Sequence, residues 1–146
     1  MARSIWCALA LCIVLLGLGG LSNASDDGFK VIVNRDNPIT VVDRAFLRSA
    51  FLKTEIRWKH NGTAIRTVDL PAAQPARDRF TRNVLGKSPA QLRIYWIQRV
   101  FSGTAVPPPE AESIAAAIAY VVANPGGVAY VPNASSVGAT KVIEVE

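Results

Sequence analysis

Cysteine is missing beyond residue 12, since Cys7 and Cys12 are the two in the chain. A protein beginning near residue 25 therefore has no disulfide framework, thiolate nucleophile or cysteine-based metal site. Cys12 is also a poor lipid-attachment position, because bulky Leu11 precedes it. Histidine occurs once, as His60, in a Gly-containing turn with no acidic cluster at ligand spacing. A general base or metal centre needs converging partners, so His60 reads as an exposed turn residue. Ser102, Ser113 and Ser135 lie outside any Gly-x-Ser-x-Gly elbow, and one histidine would have to serve any triad. The Gly-rich phosphate loops of nucleotide enzymes are missing. So are a basic tail and a stacked aromatic series, which excludes the usual single-strand nucleic-acid reader. No catalytic residue, metal or cofactor is expected, and the chain reads as something other than an enzyme.

What is present begins with Met1–Ala24, MARSIWCALALCIVLLGLGGLSNA. Arg3 is a short positive n-region, and Ile5 to Leu21 is almost continuously apolar. Ser22 and Ala24 put small residues at the −3 and −1 positions of a cleavage site. This is the layout of a secretory signal peptide over 1–24. The run is near the lower limit for spanning a bilayer, so no stable membrane insertion is expected after cleavage. Residues 25–146 then form one domain, long enough for a hydrophobic core without staples. Arg3 is one of 16 basic residues against 11 acidic ones, so this domain carries about +4. That suits a small anion or an acidic surface without requiring nucleic acid.

Along the chain, Phe29–Asn34 reads as a β-branched first strand. Thr40 with Asp43 resembles a capping box, with a helix over 41–52 whose stripe is Val42, Phe46 and Ala50. A second strand is expected over 64–70 and a helix over 75–85, with Pro75 at its first position. Ser88-Pro89 opens another helix to Phe101, ended by Ser102-Gly103, and residues 110–123 form an Ala-rich helix. The final strands fall at 128–131 and 141–145. Alternating strands and helices predict an α/β domain, three-layer-like, with a mixed sheet flanked by helices. Tyr95, Trp96 and Phe101 are expected to pack the long helix against that sheet, and Trp58 to be a packing residue.

The stretch DLPAAQPARDRF, residues 69–80, joins the second expected strand to the helix opened by Pro75. A helix N-terminus offers free N–H groups and a partial positive charge. Arg77 and Arg79 lie in that first turn, where cations oppose the macrodipole at a cost of a few tenths to about 1 kcal/mol. Either Asp78 or a bound anion offsets this. The candidate anion ligands are Gln74, the backbone amides of Ala76 and Arg77, and the Arg77 and Arg79 side chains. The plainer alternative is a solvated first turn. The wider basic set, Arg82, Lys87, Arg93 and Arg99, reads either as a partner surface or as a solvated face.

A series of short motifs gives a resemblance. It comprises VIVNRDNPIT at 31–40, a turn around Trp58, Phe80 with VLGK at 84–87, and YW at 95–96. FSG at 101–103, PPP at 107–109 and NPGGVAYV at 124–131 complete it. In order and spacing it is similar to small secreted phosphate-binding-like proteins, and resembles one lobe of a type II periplasmic solute-binding protein. The resemblance implies a bacterial periplasmic or secreted protein, phosphate as ligand, and a link to ABC-type uptake through a membrane transporter. Two departures stand against it. The Ser-Gly-Thr that supplies hydroxyl ligands in that family is replaced here by Ala72-Ala73-Gln74-Pro75-Ala76-Arg77, and Pro75 removes a donor. One lobe also leaves half of any ligand in water, where ion pairs are weak.

The expectation is therefore weak or partner-assisted recognition of a small oxyanion, with a homodimer or another protein supplying the second wall. The alternative is an envelope accessory or scaffold protein that keeps the fold without the ligand and binds another protein through its basic helices.

Overall fold

The computed structural model describes residues 28–146. The signal-peptide expectation for Met1–Ala24 and the start of the mature domain at residues 25–27 lie outside the described residues. The strands are β1 (Phe29–Asn34), β2 (Val41–Val42), β3 (Arg66–Thr67), β4 (Gly127–Pro132) and β5 (Thr140–Val145). The helices are α1 (Arg44–Phe51), α2 (Pro75–Asn83), α3 (Pro89–Phe101) and α4 (Ile114–Ala123). The strands form one mixed sheet in the order β2-β5-β1-β4-β3. Central β1 runs antiparallel to both β4 and β5, while short β2 and β3 add parallel edges to β5 and β4.

Alternation along β1 sorts the helices onto two faces. Phe29 and Val31 point one way, with Tyr130 of β4 directly opposite Val31. That face carries α2: the Phe80 ring stacks on Tyr130 at 3.9 Å and meets Phe29 edge-on at 5.4 Å, while Phe51 closes at 4.7 Å. Ile32 and Asn34 point the other way, where Asn34 Nδ2 donates to the carbonyls of Val121 and Val122 of α4. Both faces of β1 and β4 are thus largely buried, which explains the apolar runs at 31–33 and 128–131. Trp58 is a packing residue: it is 3% exposed and its Nε1 donates to Gly126 O at 3.1 Å. Gly126 lies so close to the 64–66 segment that a Cβ there would sit 1.8 Å from Ala64 O.

Several expected boundaries move. The helix expected over 41–52 begins at Arg44, because Val41 and Val42 pair with Glu144 and Val145 as β2. Its cap is Asp43, whose carboxylate accepts from Ala45 N at 2.6 Å, rather than Thr40. The strand expected over 64–70 shortens to β3, with isolated bridges from Ala64 to Arg57 and from Asp69 to Glu110 on either side. The helix expected from 110 starts only at Ile114, capped by the Ser113 hydroxyl. The α3 boundaries match, with a capping box of Ser88 and Gln91 at one end and Gly103 at φ 68° just beyond the other. Of the α3 aromatics, Tyr95 packs against the core as expected, while Phe101 does not. No residue of α3 is buried, Tyr95 and Trp96 are half-buried, and Phe101 is 94% exposed.

Candidate functional site

The stretch at 69–80 is a strand end, a tight turn and a helix start. Asp69 N donates to Pro109 O and Ala111 N donates to Asp69 O, both at 2.9 Å, so residues 109–111 lie alongside the strand end. Gln74 N closes a turn onto Pro71 O, and Gln74 is the N-cap of α2 without a side-chain capping bond. Ala76 is buried against the core, and the Arg77 N–H is directed back to Gln74 O at 2.9 Å.

The two arginines diverge, being two residues apart on a helix. Arg77 turns toward the sheet end. Its Nη1 donates to Leu70 O at 2.7 Å and to the Glu110 carboxylate, and its Nη2 lies 3.8 Å from Asp69 Oδ2. Arg79 lies instead across Gly28 at the start of the described chain. The structure therefore brings Gln74, Ala76 and Arg77 to one helix start and carries the Arg79 guanidinium elsewhere. Asp78 pairs with Arg82 one turn along.

Three groups of this site were not singled out from the sequence: Asp69, Glu110 and Tyr130. Buried Asp69 accepts from the Tyr130 hydroxyl at 2.8 Å. Burial pushes its carboxyl above the ordinary range, opposed by the Arg77 charge and the Tyr130 hydrogen bond. Burial, then the Asp69 charge, likewise raises the Tyr130 hydroxyl. The half-exposed Glu110 carboxylate goes the other way. Its hydrogen bond from Arg77 holds it below the ordinary range, with a further contribution from the Ala72 backbone N–H. Burial would lower the Arg77 guanidinium, but Glu110 and Asp69 outweigh it and raise it. Glu110 had a sequence signal of a kind, as the first acidic residue after the three prolines, yet nothing local connects it to Arg77.

A cleft of about 420 Å³ opens over this cluster, walled by Asp69, Arg77, Thr81, Arg93, Trp96 and Glu110. It adjoins a more apolar cleft of about 560 Å³ that shares Arg77, Arg93 and Trp96 and reaches Ile97 and Phe101. Among the described residues, no group of three or more His, Cys, Asp or Glu side chains is placed to hold a metal ion. No described helix is long and apolar enough to cross a membrane.

No protein-family model and no curated protein sequence matches the chain. Solved structures do. An ABC-type phosphate transport receptor from Vibrio cholerae superposes with a TM-score of 0.62 at 20% identity, over 81% of this chain and 46% of its own. PstS from Borrelia burgdorferi gives 0.63 at 10% identity, over 82% and 47%. A Clostridium perfringens protein assigned as a phosphate ABC transporter substrate-binding protein, with phosphate bound, gives 0.64 at 15% identity, over 81% and 44%. The chain spans less than half the length of each of these proteins and resembles one lobe of them. At these identities the likeness is one of fold.

Proposed function

We propose that the protein is a secreted or periplasmic solute-binding-type lobe that recognises a small oxyanion of the phosphate class at the start of α2, weakly or with a second protein surface. The observation that carries this reading is the Glu110 carboxylate, an oxyanion already held there by the Arg77 guanidinium and the Ala72 N–H. Carboxylate and phosphate offer the same kind of acceptor oxygens to an arginine and a backbone donor. Glu110 is half exposed, so its carboxylate can be displaced into solvent without crossing the core. An incoming oxyanion takes its place against Arg77, with the Gln74 amide and the Ala76 end of α2 behind it. Arg79 adds only its field.

The same arrangement limits affinity. A tethered carboxylate competes at an effective concentration of about millimolar or more. Asp69 beneath the site, where it carries charge, repels a second anion. Arg77 acts as a donor, with no proton transfer, no cofactor and no catalysis. The link to an ABC-type transporter, or to another envelope protein that closes the cleft, belongs to this reading. The second reading, a scaffold that keeps the fold without a ligand, is favoured by the same pairing, since Arg77 is already satisfied within the chain.

Calorimetric titration of the purified protein with phosphate, with sulfate as control, separates the two. Glu110→Gln removes the competing charge, and about a tenfold gain in phosphate affinity is expected. Arg77→Ala abolishes binding. Absence of saturable heat from folded wild type and folded Glu110→Gln at millimolar phosphate sinks the ligand reading and leaves the scaffold.

A further inference from the structure

Helix α3 is amphipathic in reverse. Its inward side carries Leu92, Tyr95 and Arg99: the Tyr95 hydroxyl donates to Leu52 O at 2.7 Å, and the Arg99 guanidinium lies 5.4 Å over the Tyr95 ring with its Nε buried. Its outward side carries Ile94, Ile97, Val100 and Phe101, exposed at 55, 61, 51 and 94%. At helical spacing these form one stripe, flanked by Arg93 and half-buried Trp96. A stripe of this width normally faces a core.

We propose that this stripe is the contact surface for a second copy of the chain, two α3 helices packing antiparallel about a two-fold axis at Ile97. The sequence of the face is self-complementary about that point, as an isologous interface requires. Ile97 meets Ile97 of the second copy, Ile94 meets its Val100, and Arg93 lies over its Phe101 ring. Arginine on an aromatic face is a favourable contact, strengthened by desolvation. The arrangement also keeps like charges apart. Each Arg93 is four residues from the axis, so the pair is separated by about 12 Å along the helices, beyond the screening length of about 8 Å at physiological salt.

Area supports the same occupant. The four apolar side chains expose on the order of 500 Å², at the upper end of what monomers leave uncovered. With the flanks of Trp96, Pro107 and Arg93, each copy approaches the roughly 800 Å² per partner of a standard stable interface. The inference does not depend on phosphate binding, but the dimer covers the apolar cleft that adjoins Arg77.

The test is sedimentation equilibrium of the purified protein from about 1 to about 500 μM, bracketing a micromolar dimer. The wild type is expected to self-associate, and Ile97→Asp to weaken this at least tenfold while leaving the circular dichroism spectrum unchanged. Ile97→Cys is expected to form an intermolecular disulfide on oxidation, against a control without the new cysteine. Ile94→Cys alone is not expected to, whereas Ile94→Cys mixed with Val100→Cys cross-links. A protein monomeric throughout this range overturns the proposal. So does a dimer indifferent to Ile97→Asp, or a monomer that binds phosphatidylglycerol vesicles through this face, which would make lipid its occupant.

Discussion

Helices α2 and α3 lie side by side and both start with a proline, yet they treat their aromatics in opposite ways. Phe80 of α2 is fully buried in a cluster with Phe29, Phe51 and Tyr130, while Phe101 of α3 is 94% exposed. The N-termini differ as well. Helix α3 has a complete capping box, whereas Gln74 leaves α2 without a side-chain cap. α2 is therefore held by what it buries and α3 is well specified locally. An apolar stripe reports that a helix face is to be covered, without saying whether the same chain covers it.

The comparison is broken most sharply by truncating each phenylalanine. Phe80→Ala is expected to cost about 3–5 kcal/mol in urea unfolding, because the stacked cluster leaves a cavity that cannot collapse. Next comes the carboxyl beneath α2. The folded state holds the Asp69 proton more tightly than the unfolded state, so stability falls as pH rises from the ordinary value of 3.8 to the raised folded value. Glu110 acts in the opposite sense: its contribution is complete above its ordinary value of 4.5 and is lost as pH falls through its lowered folded value. Asp69→Asn is therefore expected to leave a melting temperature that only rises with pH across this acid range.

Capping gives the next step down. Ser88→Ala is expected to cost about 1 kcal/mol by removing the α3 box. Gln74→Asp is expected to gain about 0.5 kcal/mol by supplying the missing α2 cap, measured in the same urea series. Phe101→Ala closes the series, with an expected change within about 0.5 kcal/mol at concentrations where the protein is monomeric. A cost near that of Phe80→Ala would mean that α3 is covered within the chain.

What could be read from the sequence follows the range of the interactions. The ends of α3 are set locally, and Ser88-Pro89 and Ser102-Gly103 made them legible, although the Gln91 half of the capping box was not read. β2 was not, since Val41 and Val42 become a strand only through β5, about a hundred residues on. Thr40 and Asp43 both satisfy the local capping rule, and that distant pairing decides for Asp43. At the site, Arg77 was legible from its position after Pro75, while Glu110, 33 residues away, reads locally as the start of a helix. The direction of Phe101 was illegible for another reason: its stripe with Ile94, Ile97 and Val100 has the correct period for a core face and faces outward.

The place of β1 in the sheet has a consequence in time. The first strand of the domain is the middle strand, and both its neighbours, β4 and β5, come last in the chain. Its hydrogen bonds with β4 wait for residues 127–132 and those with β5 for residues 140–145, and the loops they close are long. Until residue 127 is made, β1 has neither of its sheet neighbours. Losing only the last strand, six residues in all, exposes one edge of β1 and removes the partner of β2.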